Sequence, residues 1–327
     1  MGTQSGALVV ETVGVRRSFG DVVAVDDLTL DIPPGSVTVL LGPNGAGKTT
    51  VVRLITGALA AHGGTLRVFG LDPAGPHGTE VRRRCGVVPA RPALYDRLSG
   101  YDNLRYAAEL FEVPASEMHG RIEAAAARFG IADALEQRVG GYSTGMRARL
   151  ALARAVLHEP TLLLLDEPTA GLDPESARAV LGLIDELATS GKAVLMCTHL
   201  LLEAEGLADN VVVLDRGRTL VAGSPEELTA RYWPPARVLI EADDPSVLDA
   251  ARQLPFVRRY ERNGSATVEL TDAASVPDLV DALVRAGARL TRVEPQTPTL
   301  EQLYFAIRQA ASAAPFETVT MERVAVS

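Results

Sequence analysis

The stretch GPNGAGKTT at residues 42–50 contains the residue types that bind phosphate groups. It satisfies the pattern G-x-x-x-x-G-K-[ST], in which glycines let backbone N–H groups point at a phosphate and a lysine supplies positive charge. The candidate phosphate-binding residues are Gly42, Pro43, Asn44, Gly45, Ala46, Gly47, Lys48, Thr49 and Thr50. The Thr49 hydroxyl is also a candidate Mg²⁺ ligand. Among 32 lysines and arginines only Lys48 and Lys192 are lysines, which fits a site that needs a compact charge.

Two acidic residues and a histidine follow apolar segments further along the chain. Asp166 and Glu167 come directly after the run LLLL, and His199 follows AVLMCT. Carboxylates at the end of a buried strand are costly unless they bind a cation or take part in a reaction. We expect Asp166 to hold Mg²⁺, Glu167 to polarise a water that attacks a phosphate, and His199 to contact that phosphate. Taken singly, an ordinary acidic loop and a packed histidine are the alternatives.

The segment YSTGMRARLALARAVLHEP contains a second helix start. Ser143 can cap this helix, and Gly145 lies in its first turn. Plain capping is one interpretation. A second helix start that suits an anion is nonetheless unexpected in one nucleotide-binding domain.

The elements that would position these residues alternate between strand and helix. Apolar runs (VTVLLG, TLLLLDEP, AVLMCTHL, NVVVLDRG) are separated by helical stretches up to about residue 230. This pattern is typical of an α/β fold whose parallel strands are buried on both faces. Between about residues 100 and 158 only helical patterns occur, which predicts a helical insertion. Asp173 and Pro174 have the residue types that begin a helix.

A second, smaller domain is predicted after the segment WPPA at 233–236. Residues 236–310 have the pattern βαββαβ followed by the helix TLEQLYFAIRQ, which predicts a ferredoxin-like α+β domain. The first domain would then span residues 8–232. Residues 311–327 have little apolar periodicity, and we expect them to form a disordered tail.

Composition narrows the possible partners. The net charge of −9 gives no long-range attraction to nucleic acid or anionic lipid, so no nucleic-acid partner is expected. No apolar run reaches the ~18 residues that a membrane-spanning helix needs, and the start MGTQSGALVV does not resemble an export signal. Cys85 and Cys197 have no metal-binding or redox spacing, and buried thiols in a reducing compartment are the simplest interpretation.

Taken in their order along the chain, the segments described above resemble those of the nucleotide-binding subunits of ABC transporters. The resemblance covers residues 8 to about 230 and rests on Phe19, GPNGAGKTT, YSTGM, LLLLDEP, AGLD and His199. It implies a P-loop ABC-type domain that binds ATP and Mg²⁺, with Phe19 stacked on adenine. It also implies that two copies close head to tail, so that Ser143 and Gly145 of one copy contact the ATP held by the other. Asp173 would lie at the seam between them.

The small C-terminal domain and its closing helix look like those of the ATPase subunits of bacterial ABC-2-type exporters, including the drug-resistance group. This resemblance implies ATP hydrolysis coupled to transport through a separate integral-membrane permease. It also implies a position at the cytoplasmic face of the cell membrane, held there by the permease. An ordinary packing helix is the alternative for TLEQLYFAIRQ.

Two positions depart from the family pattern. Thr144 stands where the family usually has glycine, which costs only about a few tenths of a kcal/mol in a first helical turn. Ala90 stands where the family places a glutamine that ligates Mg²⁺ and forms the hinge to the membrane subunit. Alanine cannot ligate a metal. Water would therefore replace the glutamine, or hydrolysis would be slow, or the motif is displaced.

Proteins with other functions also contain a phosphate-binding loop of this kind. A soluble ABC protein acting on ribosomes or DNA would need tandem domains, a coiled-coil insertion or a basic surface, and the sequence shows none of them. A regulatory module that binds ATP and barely cleaves it is supported by Ala90 and opposed by Glu167 and His199. A kinase would not need YSTGM.

Overall fold

The computed structural model describes residues 7–233 and 236–313. The chain divides into two compact units, and the division falls between Ser224 and Pro225. The strands of the first unit are β1 (Val10–Phe19), β2 (Val22–Ile32), β3 (Val37–Leu41), β4 (Gly63–Val68), β5 (Cys85–Val88), β6 (Leu162–Asp166), β7 (Ala193–Thr198), β8 (Asn210–Asp215) and β9 (Arg218–Gly223). Its helices are α1 (Lys48–Ile55), α2 (Gly78–Arg83), α3 (Gly100–Leu110), α4 (Ala115–Arg128), α5 (Thr144–Val156), α6 (Pro174–Thr189) and α7 (Leu201–Ala204).

A six-stranded sheet forms the centre of the first unit, with the strand order β5-β6-β7-β3-β8-β9. The first five strands are parallel to their neighbours, and β9 is antiparallel to β8. Every residue of β3, β6 and β7 is buried. The predicted α/β fold with strands covered on both faces is therefore confirmed.

An antiparallel three-stranded sheet with the order β2-β1-β4 packs beside the central sheet. The two sheets share one hydrophobic core with α1, which includes Leu28 and Leu30 of β2, Ile55 of α1, and Leu164 of β6. This packing holds the hairpin between β1 and β2 near the end of β3.

The predicted helical insertion is also confirmed. Ser99 caps α3 by accepting a hydrogen bond from Asp102 N, and α3, α4 and α5 pack on one another. Their buried side chains include Leu104, Ile122 and Leu150. Asp173 caps α6, accepting hydrogen bonds from the backbone N–H groups of the following helical turn.

The second unit contains a four-stranded sheet. Its elements are α8 (Pro225–Tyr232), β10 (Ala236–Ala242), a 3-10 helix (Pro245–Gln253), β11 (Val257–Asn263), β12 (Ser265–Leu270), α9 (Val276–Arg285), β13 (Leu290–Pro295) and α10 (Leu300–Ala313). The strand order is β11-β12-β10-β13, and every pair is antiparallel. This is the split βαββαβ arrangement that the sequence predicts. Its first helix is a 3-10 helix, and Asp244 at its start accepts a hydrogen bond from Ser246 N.

Helix α8 lies in the second unit, although the sequence-based boundary assigned residues up to 232 to the first domain. Leu228 of α8 is buried, and α8 packs against α10. Helix α10 also includes residues 311–313, which the sequence assigned to the tail, whereas residues 314–327 of that tail lie outside the described residues. Among the residues that the structure describes, no helix has both the length and the apolar content needed to cross a bilayer.

Candidate functional site

The phosphate-loop sequence connects the end of β3 to the start of α1, as its pattern requires. Two of its glycines are fixed by close backbone contacts. A Cβ atom at Gly42 would lie 2.4 Å from Leu214 O, and one at Gly47, whose φ is +109°, would lie 2.5 Å from Ala24 O. Only glycine fits at both positions, so the loop is held tightly against β8 and β2.

This loop lines a pocket of about 380 Å³, which we call the phosphate pocket. Residues 43–50 form one wall, residues 22–24 of the β1–β2 hairpin form another, and Ala90, Asp166 and Glu167 complete it. The pocket lies at the carboxyl ends of β3 and β6, where open α/β sheets bind their ligands.

Lys48 is held inside this pocket by both neutral and charged partners. Its Nζ donates a hydrogen bond to Gly42 O at 2.7 Å and lies 3.2 Å from Glu167 Oε1. The Lys48 and Glu167 side chains are only 7% and 13% exposed. A nearly buried ammonium therefore has a carboxylate beside it, which offsets its desolvation.

Glu167 lies between two cationic or protonatable groups. His199 Nδ1 lies 2.8 Å from Glu167 Oε2, whereas Lys48 contacts Oε1 of the same carboxylate. The backbone of Glu167 has a φ of +53°, and its N–H donates to Cys197 O at 2.8 Å. Such a φ is uncommon outside glycine and costs about 1–3 kcal/mol, and residues held this way cluster at functional sites. Oε1 of Glu167 is buried and accepts no hydrogen bond of normal geometry from the described residues.

Thr49 and Asp166 form a pair of oxygen donors. Thr49 Oγ1 donates to Asp166 Oδ2 at 2.7 Å, and Asp166 is buried at the end of β6. No group of three or more His, Cys, Asp and Glu side chains suited to a metal ion occurs in the described part of the chain. A hydroxyl and one carboxylate nevertheless fit Mg²⁺, which binds oxygen and completes its octahedron with water and substrate phosphates.

The two cysteines take no part in this chemistry. Burial raises the pKa of the Cys85 thiol to about 12. Burial, and to a lesser degree the nearby Asp166 carboxylate, raises the pKa of Cys197 well above its ordinary value. Both thiols therefore stay protonated and unreactive, as their sequence context indicates.

Ser143 and Gly145 do not line the pocket that contains Lys48. Ser143 Oγ caps α5 by accepting a hydrogen bond from Met146 N at 3.2 Å, and the residue is exposed. A Cβ atom at Gly145 would lie 2.9 Å from Ser176 Oγ, so this glycine lies close against α6. A single chain thus brings together Lys48, Glu167 and His199 but leaves the start of α5 apart.

Phe19 is also outside the lining of the phosphate pocket. It lies at the end of β1, is 44% exposed, and has the Arg17 guanidinium 4.9 Å from its ring centre. The same hairpin carries Val22 and Val23, which line the pocket although they are 67% and 52% exposed. Nothing in the sequence alone distinguishes these two valines from packed ones, so they were not predicted to line the site.

Ala90 lines the same pocket as Lys48 and Asp166. It lies two residues after the end of β5 at Val88. The alanine therefore stands beside the phosphate loop, and its methyl group offers no ligand to a metal.

Comparison with known proteins shows what this chain is similar to. A family described as "ABC transporter" matches residues 25–170. The ABC transporter ATP-binding protein NatA of Bacillus subtilis (strain 168) is 39% identical over 217 residues, covering 65% of this chain and 88% of the relative. The Nod factor export ATP-binding protein I of Rhizobium sp. (strain N33) is 32% identical over 297 residues, covering 91% and 96% of the two chains.

Solved structures agree with these relatives. An ATP-binding subunit of an ABC transporter superposes with a TM-score of 0.63 at 28% identity, covering 68% of this chain and 93% of the other. The cbiO1 protein of Clostridium perfringens, part of the transporter complex cbiONQ, also has a TM-score of 0.63, at 26% identity, covering 76% and 96%. The chain therefore belongs to the ATP-binding proteins of ABC transporters, a family of ATPases.

Proposed function

We propose that this chain is the ATP-hydrolysing subunit of an exporter, in which two copies close on ATP and drive a separate permease. Export is the role named for the Nod factor relative. The observation that carries hydrolysis is the position of the Glu167 carboxylate, which lies 3.2 Å from Lys48 Nζ and 2.8 Å from His199 Nδ1.

The chemistry follows from these three side chains. Lys48 places a positive charge where the terminal phosphates of ATP would lie. Glu167 accepts a hydrogen bond from the attacking water and orients it, and its own position is set by its backbone bond to Cys197 O. His199, which lies at the second carboxylate oxygen of Glu167, contacts the γ-phosphate. Thr49 and Asp166 would hold Mg²⁺, which when bound neutralises phosphate charge.

The second copy in this proposal supplies what a single chain leaves apart. Ser143 is exposed at the start of α5, whose 13 residues align their peptide dipoles toward it. Such a helix start attracts an anion, but it does not line the pocket of its own chain. A head-to-tail dimer would bring Ser143 and Gly145 to the γ-phosphate held by the partner, and Phe19 would stack on adenine.

The permease would dock in a groove of about 1110 Å³ that shares Thr49, Ala90 and Asp166 with the phosphate pocket. Its lining includes the aromatic side chain of Tyr95 and the apolar side chain of Leu110. Its charged lining consists of five arginines against two acids: Arg53, Arg82, Arg83, Arg91, Arg154, Glu112 and Asp166. This local positive excess, in a chain of net charge −9, favours an acidic amphipathic segment of the permease. The subunit would therefore lie at the cytoplasmic face of the membrane.

The test is the Glu167→Gln variant, which keeps the shape of the side chain and removes its charge. We expect it to bind MgATP, to hydrolyse it at least ~100-fold more slowly, and to accumulate as a dimer. Phosphate release and sedimentation velocity at saturating MgATP measure both effects, and Glu123→Gln on the exposed surface of α4 is the matched control.

Two outcomes would contradict the proposal. A Glu167→Gln protein that remains monomeric at high concentration with MgATP removes the two-copy site. A wild-type chain that binds MgATP but releases no phosphate would favour the slow regulatory module instead.

A further inference from the structure

The loop that connects β5 to α3, residues 89–98, is attached to the helical insertion by side chains of two helices. Asn103 of α3 holds the backbone of Tyr95 on both sides: its Oδ1 accepts from Tyr95 N at 2.8 Å, and its Nδ2 donates to Tyr95 O at 3.1 Å. Arg154 of α5 donates to Ala93 O. Asn103 is buried, so its two hydrogen bonds to the Tyr95 backbone are partly shielded from water. The connecting loop is therefore structurally part of the insertion.

Asp96 in this loop contacts both α5 and the segment just before it. Arg147 Nη1 donates to Asp96 Oδ1 at 2.7 Å, and Nη2 of the same guanidinium also contacts this oxygen. Gly140 N, just before α5, donates to Asp96 O at 2.9 Å. Arg147 also donates to Val139 O at 3.3 Å. One acidic residue thus ties the loop to the segment that leads into α5.

Arg147 lies one helical turn after Ser143, and its backbone N–H donates to Ser143 O at 2.9 Å. The first turn of α5 contains no acidic residue. A cation near a helix N-terminus opposes the helix dipole, so the Asp96 carboxylate supplies the compensating charge that the helix itself lacks.

We propose that Asp96 is a positioning residue for the opposite half of the ATP site. Through Arg147 it sets the direction of the first turn of α5, and with it the direction in which Ser143 faces a nucleotide held by the second copy. The other end of the loop, at Ala90, lines the phosphate pocket of its own chain. At Ala90 the loop therefore reaches the nucleotide of its own chain, and through Asp96 it reaches the start of α5 that faces the nucleotide of the second copy. It makes this link although alanine replaces the family glutamine. This inference rests on the proposed two-copy function.

The first experiment measures dimer formation in the Glu167→Gln background by sedimentation with MgATP. Adding Asp96→Ala should weaken dimerisation by about tenfold or more, because a misdirected Ser143 loses its phosphate contact. ATP affinity of the monomer should stay within about twofold, because the loop of residues 42–50 is untouched. The control is Glu123→Ala, which removes a similarly exposed carboxylate whose contact is His119 on α4.

The reciprocal exchange Asp96→Arg with Arg147→Asp tests the pair itself. It restores the opposite charges, and we expect dimerisation to return to within about threefold of the Glu167→Gln parent. If Asp96→Ala dimerises as well as its parent, or if the exchanged pair restores nothing while the protein remains folded, the inference is overturned. If the Glu167→Gln parent itself does not dimerise, the proposed function fails first, and the two failures are thereby distinguished.

A mixing experiment separates action on the opposite site from a structural effect. Asp96→Ala chains keep their phosphate loop, and Lys48→Ala chains keep their α5 start. A mixed dimer would contain one site with both halves intact, so the mixture should hydrolyse more ATP than the sum of the two variants alone. If Asp96 supports only the pocket of its own chain, no site is intact and the mixture shows no gain, which overturns the inference.

Discussion

Lys48 Nζ lies 3.2 Å from Glu167 Oε1, which joins the cation of the phosphate loop to the carboxylate at the end of β6. Both side chains are nearly buried, so each compensates the desolvation of the other. A terminal phosphate entering the pocket would compete with Glu167 for this ammonium. Binding of ATP and release of the Glu167 carboxylate toward water are therefore linked in the proposed mechanism.

Replacing Lys48 by alanine should abolish ATP binding. The loop loses the charge that faces the terminal phosphates, and Glu167 is left nearly buried without its cation. Isothermal titration calorimetry with MgATP measures the loss. The control is Lys192→Ala, which removes the other lysine, whose Nζ donates to Pro160 O at 2.9 Å outside the pocket. Undiminished ATP binding by the Lys48 variant would contradict the assignment of the phosphate loop.

Introducing a glutamine at Ala90 should leave MgATP affinity within a few-fold and raise basal hydrolysis. Water is a competent Mg²⁺ ligand, so binding does not depend on the side chain, whereas a positioned amide oxygen would add a ligand beside Thr49 and Asp166. Steady-state phosphate release at saturating MgATP gives the comparison. Ala93→Gln is the matched control, because Ala93 lies in the same loop but does not line the phosphate pocket. An unchanged or lower rate in Ala90→Gln would mean that the missing ligand is already compensated.

His158 should make the protein less stable in mild acid. Its Nε2 lies 3.0 Å from Cys85 O, a group that only accepts, so Nε2 carries the proton of the neutral ring. Nδ1 is buried without a hydrogen-bond partner among the described residues, and the ring stacks on Phe111 at 3.7 Å. Burial, the largest cause, lowers the pKa of His158 below its ordinary value.

The sign of this effect follows from proton linkage. The folded state binds fewer protons at His158 than the unfolded state, so the stabilisation is complete above the unfolded pKa of about 6.5. This stabilisation is lost as the pH falls from about 6.5 toward the lower pKa that His158 has in the folded state. Thermal unfolding between about pH 7.5 and pH 5 should show this loss, and His158→Phe should flatten it. His119→Gln changes an exposed histidine and should keep the wild-type slope. Equal slopes in all three proteins would contradict the prediction.

The first unit should fold and bind ATP without the second. Residues of the phosphate pocket all lie before Ser224, and the core of the second unit is built from its own side chains. A fragment of residues 1–224 should bind MgATP with the affinity of the whole chain, as measured by calorimetry. A fragment that shows a cooperative unfolding transition but binds no nucleotide would contradict independence of the two units.

Local patterns in the sequence were sufficient for the secondary-structure elements and for most of the side chains that line the phosphate pocket. The buried strands β3, β6 and β7 are nearly continuous apolar runs, and such runs require cover on both faces. Glycine, lysine and threonine between a strand and a helix specify the phosphate loop, because close backbone approach and a helix start are local properties.

Other features depend on partners far away in the chain, which no local pattern specifies. Helix α8 belongs to the second unit because it packs on α10, although its sequence directly continues the first domain. The sheet order places β7 between β6 and β3, so that Lys48, Glu167 and His199 follow neighbouring parallel strands and meet at their ends. The contact between Asp96 and Arg147 likewise requires the loop after β5 to fold back onto α5. Residue types and spacing thus determined which groups are available for chemistry, whereas the tertiary structure decided which of them lie within bonding distance, because pairing across the sheet and between helices depends on the packing of the whole unit.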